Sequence, residues 1–73
     1  MIDKCFVIQF NNGLYWTGYG PDLQIRNARF YHSLKECREW GNKALRKISK
    51  ISKATGFKIL KVEINVVGEI KDG

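Results

Sequence analysis

One histidine, two cysteines and a run of cations are the residues of this sequence that invite a chemical reading. His32 stands directly before Ser33, yet no serine or cysteine nucleophile and carboxylate form a recognisable set with it. It therefore reads as a partly exposed turn residue rather than a general base. Cys5 and Cys37 lie far apart, and neither a C-x-x-C nor an H-x-x-x-H spacing outlines a zinc site. The default for both is a free, buried thiol in a reducing compartment. Gly18 and Gly20 bracket Tyr19 without the G-x-x-x-x-G-K frame that cradles a phosphate. The expectation is a protein with no catalytic group, no metal and no cofactor, which leaves binding as the chemistry to be explained.

Two groups of residues suit binding. The stretch SLKECREWGNKALRKISKISK, residues 33–53, carries its acids early and then Lys43, Arg46, Lys47, Lys50 and Lys53 with no carboxylate between them. On a helix of about 100° per residue centred on Cys37, Lys35, Arg46 and Lys53 point away from the buried side. Lys43 and Lys50 lie beside them, and Lys47 borders the apolar stripe. Helix-dipole complementarity accounts for one or two cations in a last turn, not for a strip of this length. The strip is either a surface for an anionic partner or the solvated back of a packing helix. The second group is aromatic. Tyr15, Trp16 and Tyr19 crowd one strand, and alternation sends Tyr15 and Trp16 to opposite faces, with Arg26 and Arg29 close behind in sequence. An exposed Trp16 or Tyr19 beside those arginines would stack a base or anchor a protein contact, unless residues 18–27 fold back and cover the ring.

The elements that must carry these groups follow from periodicity. KCFVIQF alternates as a strand, and NNG supplies a turn before LYWTGY resumes the pattern, which predicts a β-hairpin over residues 4–19 turning at Asn12-Gly13. Residues 20–27 contain the single proline and read as a loop touching the body through Leu23 and Ile25, and residues 28–31 read as a short third strand. Ser33 with Glu36 three places on forms a capping-box pattern, so a helix should begin at Leu34. Leu34, Cys37, Gly41, Ala44, Leu45, Ile48 and Ile51 then recur at helical spacing to about Ala54, with Gly56 as a left-handed stop. Gly41 on the apolar side implies a close approach to the sheet. A last strand spans residues 57–67, with Val62, Ile64 and Val66 on one face and a bulge near 59 and 60 to bring Phe57 and Ile59 into phase. Residues 68–73 read as a frayed tail. The predicted fold is α+β in ββ(β)αβ order: a single antiparallel sheet of three to four strands with one long helix packed on one face.

Seventy-three residues at 44% hydrophobic content allow one domain with a small core, and a deep enzyme cleft would remove core that such a fold needs. The formal net charge of +6 favours anionic partners. No apolar run approaches the ~20 residues of a membrane span, and the first ten residues lack a signal-peptide layout. The expected location is the cytoplasm, with no membrane partner. Monomer and homodimer both remain open, because an uncovered sheet face or the edge of the last strand can pair with a second copy.

The segments GLYWTGYG and ARFYHSLKECREWGNKAL resemble a loose group of small proteins of Gram-positive phages and prophages that share a Tyr-Trp hairpin, an Ala-x-x-Tyr-x-Ser segment and a helix beginning Lys-Glu. The resemblance spans residues 5–46 and rests on hairpin, cap and core positions. It implies a non-enzymatic accessory protein of the host cell's cytoplasm that inhibits a host defence nucleoprotein, in the manner of anti-CRISPR proteins, by binding its acidic surface. Residues 30–37 are also similar to the AP2-like DNA-binding domain of phage integrases, which would place Trp16, Tyr19, Arg26 and Arg29 near DNA. The long strand after the helix departs from that pattern. Direct binding of DNA or RNA is the alternative that this second likeness implies.

Overall fold

The computed structural model describes residues 2–65, 68 and 70. Strand β1 (Ile2–Phe10) leads into β2 (Tyr15–Trp16) and β3 (Pro21–Asp22), a 3-10 turn at Ile25–Asn27, helix α1 (Leu34–Ile48) and strand β4 (Phe57–Asn65). The four strands form one antiparallel sheet in the order β3-β2-β1-β4, with α1 packed on one face. The α+β architecture expected from periodicity is the one observed.

The β1–β4 ribbon is the backbone of the sheet, pairing residue for residue from Ile2 opposite Asn65 to Phe10 opposite Phe57. Its register contains no bulge, which corrects the expectation of one near residues 59 and 60. That expectation assumed that all apolar residues of β4 serve a single face. Instead Phe57 and Ile59 pack with Ile8 and Phe10 against α1, while Leu60, Val62 and Ile64 share the opposite face with Val7 and Cys5. A helix of 15 residues spans only about 22 Å, whereas the nine-residue strands run about 30 Å. Past the end of the helix's footprint, the side of β4 that faced it carries Lys61 and Glu63, which are exposed. Residues 66 and 67, assigned from sequence to the last strand, and residues 69 and 71–73, assigned to its frayed tail, lie outside the described residues.

The third strand also falls elsewhere than expected. Residues 28–30 form no strand, and Tyr31 makes only an isolated bridge, its N–H donating to Phe6 O at 2.8 Å and its carbonyl accepting from Phe6 N at 2.7 Å. β3 is instead the proline-bearing pair at the sheet edge, where a residue without an N–H costs no ladder bond. The loop between them does not touch the body as expected: Leu23 is 78% exposed, and Ile25 is also exposed.

Helix α1 starts where the capping pattern places it, with the Ser33 side chain accepting from Glu36 N. It ends at Ile48, not at 54, and Gly56 has no left-handed φ. Beyond Ile48 the helical bonding fades: the Ser52 amide still donates to Ile48 O at 2.7 Å with helical spacing, but the Ile51 amide donates to the same carbonyl at 3.0 Å, and the side chains of Ser52 and Thr55 turn to tertiary partners. Ser49 Oγ donates to Arg46 O at 3.2 Å. Asn12 Nδ2 donates to Ser52 Oγ at 2.6 Å, while Asn11 exchanges two bonds with Thr55. The hairpin turn thus captures residues 52–55, and Ile51, expected inside, is 76% exposed.

Candidate functional site

The strongest concentration of binding groups lies where α1 meets the β2–β3 hairpin. That hairpin turns tightly because Thr17 does four jobs: its amide and its hydroxyl both donate to Gly20 O, and its hydroxyl accepts from the amides of Tyr19 and Gly20. Gly18 adopts φ 98°, the left-handed region that favours glycine, and a β-carbon there would stand 3.3 Å from Arg29 Cδ, a tight approach that a small shift of the arginine side chain would relieve. The turn holds Tyr19 at its tip, 98% exposed.

Beneath it the chain returns from the 3-10 turn. The Arg29 amide donates to Trp16 O at 2.8 Å, and the Arg29 guanidinium carbon sits 5.7 Å from the centre of the Tyr31 ring. Across from these, Trp40 leaves the helix 41% exposed with Lys43 Nζ 5.0 Å over its ring centre. Trp16, Gly18, Arg29, Tyr31 and Trp40 line a cleft of about 170 Å³. Small-molecule sites run from about 300 Å³ upward, so this one admits a single ring or planar group rather than a whole substrate.

The charge around the cleft is mainly positive. Arg29 lines it and Lys43 sits over Trp40, both exposed, and helical phase sets Lys47 on the same flank of α1, while Glu36, one turn before Trp40, is the acid whose charge reaches Tyr31. Burial pushes the Tyr31 hydroxyl above its ordinary range, against the opposing pull of the neighbouring Trp16 indole and Arg29. Tyr31 is consequently a neutral hydroxyl at physiological pH. The Trp16 indole N–H is near enough to favour the Tyr31 oxygen but does not meet hydrogen-bond geometry, and it has no partner among the described residues.

Several residues chosen from sequence find other places. Trp16 is 2% exposed and belongs to the core with Ile8, Phe10, Tyr31 and Cys37, so it forms the floor of the cleft and not a contact surface. It packs in the core cluster with Tyr31 and with Cys37 of α1. Arg26 is exposed on the separate 3-10 turn and does not line the cleft. Arg46 lies on the back of α1, while Lys50 and Lys53 stand beyond the helix end in the captured turn, so the five cations do not form one continuous helical strip. Lys43, Lys47, Arg29 and Tyr19 are the expected residues that remain grouped on this side. Sequence reasoning missed Trp40 and Tyr31. A tryptophan at the edge of an apolar stripe, with a lysine three positions later, was the available signal for the first.

Groups with catalytic potential are less well provided. Cys5 Sγ and His32 Nδ1 approach to 3.7 Å, a pairing not anticipated from sequence. Cys5 is nevertheless buried, and a thiol nucleophile must be reachable to act. Cys37, also buried and free, has its thiol pushed up from 9.0 to about 11, first by burial and then by the adjacent charge of Glu36. Among the described residues no three histidine, cysteine, aspartate or glutamate side chains gather as metal ligands, and no helix is long and apolar enough to cross a membrane. A larger open groove of about 440 Å³ passes Gln9, Asn11, Gly13, Gly56 and Lys58, with Lys58 as its one charged lining residue among the described residues.

Compared with known protein families, curated proteins and solved structures, the chain matches none of them. The functional reading therefore rests on the geometry of the cleft and the charge around it.

Proposed function

We propose that this chain acts by binding, as a small non-enzymatic accessory protein of the phage kind that docks on an acidic or nucleic-acid-bearing surface of a host defence complex. The observation that carries the reading is Lys43 stacked over the half-exposed Trp40, facing Arg29 across a cleft that holds one ring. Aromatic and arginine side chains on a rigid support are the anchors that dominate protein contacts. Here Trp40 is supported by the helix and Arg29 by its bond to β2. Tyr19, standing beyond the cleft on its Thr17-bound turn, would extend the same contact.

Direct recognition of DNA or RNA is the second reading, favoured by the same pairing of ring and cation, since bases stack on exposed aromatics. Affinity capture from host lysate with and without nuclease separates the two. Capture of a protein that survives nuclease, and is lost with Lys43→Glu, supports the first. Retardation of DNA or RNA by the pure chain, weakening with salt at a log–log slope of about −0.9 per duplex phosphate neutralised, supports the second. Failure of both capture and retardation would refute binding through this cleft.

A further inference from the structure

We propose that two copies of this chain join through the open edge of β4, antiparallel about a two-fold axis at Val62, to make one continuous sheet. β4 is an edge strand of nine residues with no proline and no bulge, and no strand covers its outer side among the described residues. Strands of that length usually carry some device against pairing.

The direction of its free hydrogen-bonding groups follows from β1. Phe6 spends its N–H and its carbonyl on Tyr31, and the Phe10 amide donates to Leu14, so the even-numbered residues of β1 turn their polar groups toward β2. In an antiparallel ladder their partners across the other side turn away as well. Lys61, opposite Phe6, and Glu63, opposite Lys4, therefore present N–H and C=O to the open edge, whereas Val62, opposite Cys5, is bonded into the ribbon.

Side chains select the register. Pairing about a two-fold keeps each face continuous, so the axis falls on a residue. Centred on Lys61 it sets lysine against lysine, and centred on Glu63 it sets glutamate against glutamate, both unfavourable for directly opposed pairs. Centred on Leu60 it sets Lys61 against Ile59 and Lys58 against Val62. Centred on Val62 it sets Lys61 against Glu63 twice on one face and Leu60 against Ile64 twice on the other, with Val62 facing its own copy. The exposed charges of Lys61 and Glu63 and the exposed Ile64 all find complements in that register. The Lys61–Glu63 pairs are also the ones that exchange backbone hydrogen bonds, so charge pairing and ladder bonding coincide. The same charges that obstruct other registers thus specify this one, and a second copy is the occupant that fits.

Sedimentation or light scattering reads the assembly as a mass approaching twice the 8.5 kDa of the chain as concentration rises. Lys61→Glu alone and Glu63→Lys alone should each return the mass to one chain, and the two together should restore the dimer, because the swapped pair is again complementary. Amide exchange on the unsubstituted chain gives an independent reading. Lys61 and Glu63 amides should exchange slowly at high concentration and fast on dilution, while Val62 stays slow at both. A single-chain mass up to the solubility limit, single reversals that leave the dimer intact, a double reversal that stays monomeric, or Lys61 exchange independent of concentration would each overturn the proposal.

Discussion

Gly41 of α1 and Phe57 of β4 stand so close that a β-carbon on Gly41 would lie 2.6 Å from Phe57 Cζ. This contact sets the distance between helix and sheet and with it the position of Trp40, the neighbouring residue on α1. Placing alanine at Gly41 gains up to ~1 kcal/mol of helix propensity but forces a ring that packs on the core to move, at about 1–3 kcal/mol. Gly41→Ala should therefore lower stability, by about 1 kcal/mol in a urea titration, and Phe57→Leu in the same chain should recover part of the loss. An increase in stability on Gly41→Ala alone would show that the ring yields freely.

Binding and folding should separate at the cleft. Trp40→Ala is expected to weaken partner binding by about 30-fold, the loss typical of a ring at a contact centre. Lys43→Glu and Arg29→Glu should each cost about tenfold, equivalent to ~1.4 kcal/mol. Their thermal midpoints should stay near the parent's, as exposed positions allow. Arg46→Glu, on the back of the helix, should bind nearly as well as the parent. Equal losses at Arg46 and Lys43 in a titration would point to diffuse charge attraction in place of a site.

Alkaline pH should destabilise the fold through Cys37. Its thiol is held from 9.0 up to about 11 in the folded chain, so between those values the unfolded chain has released a proton that the folded chain keeps. Stability is then fully present below pH 9 and falls as pH rises toward 11, and the raised Tyr31 hydroxyl acts in the same direction. Denaturation midpoints measured across that window should fall less steeply for Cys37→Ala. Both buried thiols should also resist a thiol reagent at neutral pH until the chain unfolds.

Ile48 and Ile51 share a helical stripe in sequence but not a role. Ile48→Ala removes a side chain that is 1% exposed and should cost about 2–5 kcal/mol. Ile51→Ser alters an exposed turn and should fall within about 0.5 kcal/mol of the parent. Chemical denaturation of the two variants checks both, and a large loss at Ile51 would restore the longer helix.

Local chemistry determined what was legible from sequence. The Asn12-Gly13 turn, where Gly13 takes φ 89°, the Ser33 cap and the three-and-four spacing from Cys37 to Ile48 each depend on neighbours in the chain, and all three are present in the fold. Propensity and periodicity act over a few residues, so they show in the sequence. The end of the helix was set by Asn11 and Asn12, some forty positions away, reaching Thr55 and Ser52. No periodicity encodes such a bond. The faces of β4 likewise depended on where a helix of limited length stops covering a longer ribbon, which makes one strand apolar on both sides. The cleft arose from the same long-range packing, which buried Trp16 in the core cluster, left Trp40 half in water, and brought the flank of α1 beside Arg29 and Tyr31. The sequence determined which elements form and how much charge they carry, because those are short-range quantities. Only the tertiary structure decided which rings and cations share a surface, because that depends on the angle and reach at which helix and sheet meet.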